Sequence, residues 1–576
     1  MTGTAAKTLL RARWLGRVDY REAADLQRSL HERSEQDHLL LLEHPHTYTL
    51  GTRADPAHVL IPPADVGAEL VHADRGGDVT YHGPGQLVGY PIVTLAPWRD
   101  GAPDVVAHVR RLEAALIDAL AVLGIDAHRV DGFSGVWVGD EKIAAIGVKV
   151  ASMRTRHGFA LNVDPDLTMF DHIVPCGIRD RGVTSMAAQL GAAVPTMREV
   201  TDVVVQAMAD HLGYATVDRQ DVAWPQTPDD LSAFSRGENA GVPVRLLGRL
   251  AAAGVEAPAP DPTFRRPEWM KVKANLGEGY RETQRLMRDG GLNTVCQEAG
   301  CPNIFECWAD RTATFMILGE RCTRACGFCL VDTRKPKAPD LEEPTRLADA
   351  VVRLGLEHVV VTSVARDDLD DGGASAFVAT IEAVRRRTPD ATIEVLIPDC
   401  KGDPASLHTI FTARPDVLNH NLETVARLQR AARPSAGYAR SLTLLGRAKA
   451  AGLVTKSGII LGMGERTEEV HGALADLRGV GVDIVTLGQY LRPSSAHLPV
   501  VRWWTPEEFD ELGDYARSLG FAHVESGPLV RSSYHAKVGA AAVAAPVPVG
   551  IAARRRPPGS STSDDRPPET FKEKVR

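Results

Sequence analysis

Two groups of three cysteines stand close together in the second half of the chain. Cys296, Cys301 and Cys307 form a C-x4-C-x5-C group, and Cys322, Cys326 and Cys329 form a C-x3-C-x2-C group. Three thiolates can hold three corners of a [4Fe-4S] cube and leave the fourth iron open, where a ligand can bind and be activated. The spacing therefore predicts two [4Fe-4S] clusters that take part in chemistry. Zinc is the alternative, but it prefers four closed ligands and typically paired C-x2-C arms.

A glycine-rich segment in the first half has the composition of a ligand-binding loop. Residues 75–86 have the sequence RGGDVTYHGPGQ and follow a predicted strand near Leu70–Ala73. Glycine lets the backbone approach a ligand closely and adopt positive φ, so the segment predicts a binding loop. A glycine-rich hairpin turn is the alternative. Residues 1–235 carry no cofactor fingerprint of the dinucleotide or Walker type.

The elements that position the cysteines follow a repeating order. Apolar runs at 312–319, 358–364, 392–398, 417–423, 455–462 and 484–490 alternate with helical stretches such as 345–355, 374–387 and 467–479. Apolar strands separated by helices predict buried parallel strands in right-handed βαβ units, and hence an α/β fold. The C-x3-C-x2-C loop directly follows the first strand, at the edge where such folds place their chemistry.

Composition divides the chain into four predicted parts. Residues 236–262 are rich in Gly, Ala and Pro and predict a linker, with Ala257–Pro262 as its clearest piece. We therefore expect domains at 1–235 and 263–536. Residues 537–576 are rich in Ala, Val and Pro and then in mixed charge, which predicts a disordered tail.

The cysteine groups lie in segments that resemble a known family. Residues 321–329, RCTRACGFC, are similar to the radical S-adenosylmethionine (SAM) signature, and residues 296–308, CQEAGCPNIFECW, resemble the auxiliary-cluster motif of lipoyl synthase. Further matches lie at Arg266–Trp269, Asn419–Thr424, Lys456–Gly458, Gly488–Pro493 and Arg531–Tyr534. Residues 263–536 therefore resemble lipoyl synthase, which implies a radical SAM partial (β/α)6 barrel.

The resemblance implies a role for each cluster. The cluster held by Cys322, Cys326 and Cys329 binds SAM and cleaves it reductively to a 5′-deoxyadenosyl radical; the cluster held by Cys296, Cys301, Cys307 and Ser533 is consumed as the sulfur donor. Two sulfurs enter an octanoyl chain at C6 and C8, with an electron donor such as ferredoxin or flavodoxin. Ala365 departs from the family pattern, where a carboxylate near the SAM site is usual.

The first half resembles a second family. The glycine-rich segment is accompanied by motifs at Gly132–Trp137, Lys142–Val148, His157–Asn162 and Ile173–Ile178. With these, residues 1–235 are similar to lipoyl(octanoyl) transferase, which implies a biotin/lipoate protein ligase-like α+β fold. The family uses a cysteine and a lysine as a dyad, and these correspond to Cys176 and Lys142.

The implied dyad suits acyl transfer between a thioester and an amine. A thiolate holds the acyl group best, and a nearby ammonium both favours the thiolate and can serve as acid or base. The implied substrate contacts are Arg75, Gly76, Gly77, Asp78, Val79, Thr80, Tyr81, His82, Ala145, Ile146, Gly147, Gly158, Phe159 and Ala160. His82 is either a polar contact to the acyl chain or a structural histidine. Cys400, at the end of an apolar strand, is expected in the core.

Together the two resemblances imply a fusion of consecutive steps in lipoyl cofactor assembly. The implied partners are octanoyl-acyl carrier protein, the lipoyl domains of 2-oxoacid dehydrogenase E2 subunits and the glycine cleavage H protein. Three alternatives stay open: an ATP-dependent lipoate ligase in the first half, a methylthiotransferase in the second, and an iron–sulfur carrier without catalysis.

Whole-chain properties narrow the setting. The chain has 576 residues, 44% of them hydrophobic, and a formal net charge of −8. This predicts two or three domains and argues against nucleic acid as a partner. The N-terminus lacks the apolar region of a signal peptide, and no run of ~20 apolar residues predicts a membrane span. Because six cysteines have cluster spacing, we expect a reducing compartment and a cytoplasmic protein.

Overall fold

A computed structural model describes residues 7–97, 101–178, 181–224, 243–256, 265–272, 276–298, 300–309 and 314–544, with residues 243–247, 309 and 544 described by their backbone only. Each half is organised around one large sheet, and the first half adds a small one. This confirms the predicted pair of α/β domains.

The first half contains a nine-stranded mixed sheet in the order β12-β1-β2-β6-β10-β9-β8-β7, with β11 beside β9, and a three-stranded sheet in the order β4-β3-β5. Its elements are β1 (Lys7–Arg17), α1 (Tyr20–Arg33), β2 (Asp37–Glu43), β3 (Thr47–Leu50), β4 (Glu69–His72), β5 (Val79–His82), β6 (Gln86–Ile92), α2 (Val105–Val122), β7 (His128–Val130), β8 (Phe133–Val138), β9 (Glu141–Ala151), β10 (Arg154–Asn162), β11 (Gly182–Val183), α3 (Met186–Leu190), α4 (Met197–Leu212) and β12 (Tyr214–Asp221).

The second half is built on an eight-stranded sheet in chain order from β13 to β20, in which β14 to β20 are parallel and β13 is antiparallel. Its elements are α5 (Pro243–Ala252), α6 (Glu278–Asp289), β13 (Asn293–Thr294), α7 (Val295–Glu298), α8 (Ile304–Ala309), β14 (Thr314–Ile317), α9 (Glu343–Leu354), β15 (His358–Ser363), α10 (Ala374–Arg387), β16 (Thr392–Leu396), α11 (Pro404–Thr412), β17 (Val417–Asn419), α12 (Gln429–Ala432), α13 (Tyr438–Ala450), β18 (Val454–Leu461), α14 (Thr467–Gly479), β19 (Ile484–Gln489), α15 (Pro506–Ser518), β20 (His523–Ser526) and α16 (Ala536–Ala544).

The six apolar runs predicted as parallel strands correspond to β14 to β19, and β20 adds a seventh parallel strand. The sheet ends at β13 on one side and at β20 on the other, as in a barrel that is only partly closed. The loop with the second cysteine group leaves the carboxyl end of β14, as expected. Among the described helices, none combines the length and the apolar content that a membrane crossing needs.

Two segments differ from the predicted linker and tail. The linker prediction covers α5, where Leu250 is fully buried and the Arg427 side chain donates to the carbonyl of Ala253 at 2.6 Å. Apolar burial against the second half thus outweighs the Gly, Ala and Pro content. The predicted disorder is wrong for 537–544, because α16 packs against β15 and β20. Residues 236–242, 257–262 and 545–576 lie outside the described residues.

The two halves pack closely against each other along α1. This helix begins after Asp19, whose side chain accepts two backbone N–H groups of the first turn, and it lies against α13 and α14. A Cβ atom at Gly446 would approach Ser29 Oγ to 2.4 Å, and one at Gly472 would approach Gln220 Nε2 to 1.6 Å. Glycine in α13 and α14 therefore permits the close approach of the first half.

Candidate active sites

A cavity of about 470 Å³ in the first half brings most of the predicted transferase residues together. The predicted residues that line it are Arg75, Gly76, Gly77, Asp78, Thr80, His82, Lys142, Ala145, Ile146, Gly147, Gly158, Phe159, Ala160 and Cys176. Val79 and Tyr81 are fully buried and do not line it. Side chains alternate along β5, so these two point into the small core around Tyr48 while their neighbours face the cavity.

Cys176 stands on a strained turn at the mouth of this cavity. Residues 175–177 form a tight turn with a left-handed backbone, in which Cys176 has φ +56° and Gly177 has φ +72°. A left-handed backbone is unfavourable for cysteine and is kept here by the surrounding packing. A Cβ atom at Gly177 would lie 2.7 Å from Asp78 Oδ2, an atom that is 2.6 Å from His58 Nδ1. The Asp78–His58 pair therefore packs against Gly177 and limits the movement of the turn.

Lys142 reaches the same cavity from β9. Its side chain is almost fully buried, and its Nζ lies 4.8 Å from the centre of the Trp137 ring. A cation over an aromatic face is stabilised without a carboxylate partner. Gly135, with φ +114°, lies beside the Lys142 side chain, and a Cβ atom at Gly135 would approach Lys142 Cε to 3.4 Å. The ammonium is thus held by an aromatic wall beside the space that Cys176 lines.

Arg75 is a structural cation of the binding loop. It is 7% exposed, and its Nη2 donates to the carbonyl and to the hydroxyl oxygen of Thr49, both at 2.7 Å. Its Nη1 donates to the carbonyl of Asp78 at 2.8 Å, which closes the loop on itself. Burial lowers the pKa of Arg75, while the nearby Tyr20 and Cys176 act in the opposite direction. Arg75 therefore also places positive charge near the Cys176 sulfur.

His82 and Tyr20 form an aromatic wall of the cavity. The His82 ring is buried, shares a 2.8 Å hydrogen bond with Gln86 Oε1, and stacks on Tyr20 with ring centres 5.9 Å apart. Burial holds the pKa of His82 well below its usual value, so the ring is neutral. Burial also raises the pKa of Tyr20 to about 12. Tyr20 lies outside every sequence motif, because it reaches the cavity from the start of α1.

A second cavity, of about 210 Å³, lies at the carboxyl edge of the parallel sheet. Cys322, Cys326 and Cys329 line it together with Ala365 and Arg433. The backbone N–H of Ala365 donates to Cys322 Sγ at 3.3 Å, which places the position of the missing carboxylate beside the cysteines. The three predicted ligands of the SAM cluster thus line one cavity and are half-buried.

The chemistry of these thiols fits a bound metal cluster. Burial raises the pKa of Cys326 to about 11 and that of Cys329 to about 12, and mutual repulsion between the thiolates contributes. A bound cationic cluster would remove both costs and hold the sulfurs as thiolates. Within the described part of the chain, no three His, Cys, Asp or Glu side chains already converge in a metal-binding arrangement. The fit therefore rests on the donor atoms and their burial.

The first cysteine group lies against the end of the domain. Cys296 is buried, and burial raises its pKa to about 11, whereas Cys301 and Cys307 are half-buried. The Asn303 side chain donates to the carbonyl of Leu529 at 2.8 Å, and Arg531 interacts with Cys301. These contacts bring the segment that contains Ser533, which is half-buried, to the first cysteine group. Cys400 is buried and lines neither cavity, as expected of a core residue.

Two family models match separate parts of the chain. The lipoyl protein ligase A/B catalytic domain matches residues 19–209, and the radical SAM superfamily matches residues 316–477. The first range contains the cavity with Cys176 and Lys142, and the second contains the cavity with Cys322, Cys326 and Cys329.

Relatives match the second half over most of their own length. A lipoyl synthase of Rubrobacter xylanophilus is 57% identical over 273 residues, which are 47% of this chain and 85% of the relative. A lipoyl synthase of Symbiobacterium thermophilum is 58% identical over 274 residues, which are 47% of this chain and 86% of the relative. A crystal structure of lipoate-protein ligase A bound with ATP is 17% identical and covers 38% of this chain and 90% of its own, with a TM-score of 0.31, too distant to inform activity.

Proposed function

Because this chain belongs to the lipoyl synthase family and also carries a lipoyl protein ligase A/B catalytic domain, we propose that it performs two consecutive steps of lipoyl cofactor assembly. The first half transfers octanoyl from octanoyl-acyl carrier protein to a lysine of a lipoyl carrier. The second half inserts sulfur at C6 and C8 of the attached chain. The lipoyl domains of 2-oxoacid dehydrogenase E2 subunits and the glycine cleavage H protein are the carriers that we propose.

One observation carries the first step: Cys176 and Lys142 line the same cavity, from a strained turn and from β9. The Cys176 thiolate attacks the thioester carbonyl, the new S–C bond forms, and the carrier thiolate leaves and takes a proton from Lys142. The amine of the acceptor lysine then attacks the acyl-Cys176 carbonyl. The C–S bond breaks, an amide forms, and the amine proton returns to Lys142.

The surrounding side chains support this sequence of steps. Arg75 and Lys142 line the same cavity as Cys176, so two positive charges stand in the cavity of the proposed nucleophile. Neutral His82 and Tyr20 add no charge to the part of the cavity that they line. The strain at Cys176 fixes the direction of the nucleophile before the substrate arrives. A ligase that activates the acid as an adenylate needs no cysteine to hold the acyl group, so Cys176 in this cavity favours transfer from a thioester.

For the second half we propose that Cys322, Cys326 and Cys329 hold a [4Fe-4S] cluster that binds SAM, and that Cys296, Cys301, Cys307 and Ser533 hold a second one. When bound, the clusters supply the reductive cleavage of SAM and the sulfur atoms. The chain itself buries the site and surrounds Cys326 with the positive charges of Arg433 and Arg324. An electron donor such as ferredoxin or flavodoxin is required, and the reducing cytoplasm is the compartment that suits eight free cysteines.

A single mass-spectrometric experiment tests the proposed function. An apo lipoyl domain is incubated anaerobically with octanoyl-acyl carrier protein, SAM, a reductant and the reconstituted full chain. The expected result is an octanoyl adduct on the domain, followed by a dithiol or disulfide product that carries two added sulfurs. Product with ATP and free octanoate, and none with octanoyl-acyl carrier protein, would overturn the transferase proposal. An octanoyl adduct without sulfur would overturn the proposal for the second half.

A further inference from the structure

A line of charged side chains runs from the first half of the molecule into the loop of the second cysteine group. Glu22 in α1 accepts a 2.7 Å hydrogen bond from Arg440 Nε in α13. Arg440 Nη1 lies 3.9 Å from Asp399 Oδ2, and Arg324 Nη2 lies 2.6 Å from Asp399 Oδ1. The backbone N–H of Arg324 donates to Cys322 Sγ at 3.4 Å. The line therefore ends on a thiol of the SAM-cluster loop.

Asp399 is the critical member of this line, because two arginines face one carboxylate. Its side chain is fully buried and already bound to Arg324 through Oδ1. Its Oδ2 is buried and has no hydrogen-bond partner among the described residues. Arg440 stands just beyond hydrogen-bond distance of this free oxygen and is bound instead to Glu22. Glu22 thus holds Arg440 back from Asp399.

The packing around Glu22 leaves it little freedom to move. Its side chain is 9% exposed, and a Cβ atom at Gly402, three residues after Asp399, would lie 2.1 Å from Glu22 Oε1. Asp25, one turn later in α1, makes a separate 2.8 Å ion pair with Arg447 Nε. The Asp25 pair crosses the same interface. Arg447 also donates from Nη1 to the carbonyl of Gly402 at 3.1 Å, so this pair reaches the turn after Asp399 but not the Asp399 carboxylate. It therefore provides a matched control for the loss of one interface carboxylate.

We propose that Glu22 of the transferase half is a positioning residue for the sulfur-inserting half. It engages Arg440, so that the buried Asp399 carboxylate, which also accepts the backbone N–H of Lys401, hydrogen-bonds no guanidinium of the described residues besides that of Arg324. Asp399 and Asp367 then hold Arg324 together and keep the loop around Cys322 in place. Without the charge of Glu22, Arg440 moves toward Asp399 Oδ2 and competes with Arg324 for the same negative charge. The role toward a cluster rests on the proposed function, whereas the effect on the loop does not.

The first test measures backbone hydrogen exchange in the full chain without clusters. In Glu22→Gln, the peptide spanning 322–329 is expected to exchange about tenfold faster, the size that follows when a charge-assisted hydrogen bond is weakened. Asp25→Asn should leave this peptide within about twofold of the parent chain. The double variant Glu22→Gln/Arg440→Gln should return most of the protection, because the competing guanidinium is gone.

Each of the opposite results would overturn the proposal. Unchanged exchange in Glu22→Gln means that Arg440 does not compete for Asp399. Equal acceleration in Asp25→Asn means that the loop responds to the interface as a whole. A double variant that exchanges as fast as Glu22→Gln means that loss of the interface, rather than the freed Arg440, loosens the loop. Acylation of Cys176 in all three variants serves as the check that the first half is folded.

The second test measures 5′-deoxyadenosine release from the reconstituted full chain with SAM and reductant. Glu22→Gln should release it several-fold more slowly than Asp25→Asn, with a changed electron paramagnetic resonance spectrum of the SAM-bound cluster. If the parent chain binds iron but releases no 5′-deoxyadenosine, the proposed function fails while the exchange result stands. If the parent chain is active and Glu22→Gln matches it in rate and spectrum, the positioning role fails.

Discussion

The two cavities differ in how much of the reactive machinery the polypeptide itself provides. The first-half cavity already holds the strained turn of Cys176, which is the proposed nucleophile, together with an ammonium against the Trp137 ring and a buried arginine. The cysteine cavity holds thiols whose pKa values burial raises to about 11 and about 12 for Cys326 and Cys329. Such thiols are poor nucleophiles and become ligands only when a metal compensates their charge. In the proposed function, the first site works with its own side chains, whereas the second needs metal clusters that the polypeptide does not supply.

The largest effect is expected from removing Cys176, the proposed nucleophile. Cys176→Ala should abolish the octanoyl adduct on the protein, because no other thiol lines that cavity. Intact-mass spectrometry after incubation with octanoyl-acyl carrier protein measures the adduct. Cys400→Ala is the control, since this buried thiol belongs to neither cavity, and its adduct should match the parent chain. An undiminished adduct in Cys176→Ala would assign the acyl group to another residue.

The corresponding test of the cysteine cavity separates the two groups of three thiols. Replacing Cys322, Cys326 and Cys329 by Ala should abolish 5′-deoxyadenosine formation, because the open iron that meets SAM is lost. Replacing Cys296, Cys301 and Cys307 should preserve SAM cleavage and stop sulfur insertion. Iron content and 5′-deoxyadenosine are measured together for both triple variants. Lipoyl product from the second triple variant would contradict the separate roles.

Lys142 tests whether the transferase cavity depends on its buried ammonium. Lys142→Ala should slow acylation of Cys176 by ~10²–10⁴-fold, as expected for loss of a general acid–base group. Lys149→Ala on the same strand removes a half-exposed ion pair with Asp74 and should change the rate less than twofold. Stopped-time mass spectrometry gives both rates. A Lys142→Ala rate close to that of Lys149→Ala would remove the lysine from the mechanism.

The same contrast explains which parts of the molecule the sequence could predict. Continuous apolar runs place β14 to β19 within a few residues, because buried parallel strands leave a strong local signal. The Gly, Ala and Pro content of 236–262 does not predict α5, since the burial of this helix depends on contacts with a distant part of the chain. Within the transferase site, the motifs identify Cys176 and Lys142 but include Val79 and Tyr81, which strand alternation turns away from the cavity.

Breaking a buried ion pair at the interface between the halves tests whether the two halves unfold as one unit. Arg13, 2% exposed, donates from Nε to Asp476 Oδ2 at 2.7 Å, and the Tyr438 hydroxyl donates to the same oxygen at 2.8 Å. Asp476→Ala leaves both donors buried without this acceptor and should lower the free energy of unfolding by ~3 kcal/mol. Urea unfolding followed by hydrogen exchange in α1 and α13 measures the change. In the parent chain, α1 and α13 should lose protection at the same urea concentration. In Asp476→Ala they should lose it at different concentrations.

Asp514→Ala is the control for this experiment. Asp514 pairs with Arg517 on the exposed face of α15, so the free energy of unfolding should change by less than ~0.5 kcal/mol. If Asp476→Ala behaves like Asp514→Ala, the buried ion pair does not hold the halves together, and the line through Glu22 would have to act without a stable interface.

The smallest expected effect distinguishes the halves by their response to acid. Burial lowers the pKa of His44 and His108 in the first half, and of His420 in the second, to about 4 each. The unfolded chain binds these protons at the usual pKa of about 6.5, so stability is lost as the pH falls from about 6.5 to about 4. Because His38 and His82 are also held well below their usual pKa, the first half should lose more.

Thermal unfolding at pH 7.5 and pH 5.0, with hydrogen exchange resolved by peptide, checks this order. Acidification should lower the Tm of the first half by a few degrees less in His108→Leu than in the parent chain. Both ring nitrogens of His108 are buried without a hydrogen-bond partner among the described residues, so protonation of this ring is costly in the folded state. His128→Leu, at an exposed strand position, should leave the acid-induced decrease in Tm unchanged. If the second half loses more stability at pH 5.0 than the first, the buried histidines do not determine which half is more sensitive to acid. The raised thiol pKa values near Cys326 could not explain that outcome, because those thiols are protonated at both pH values.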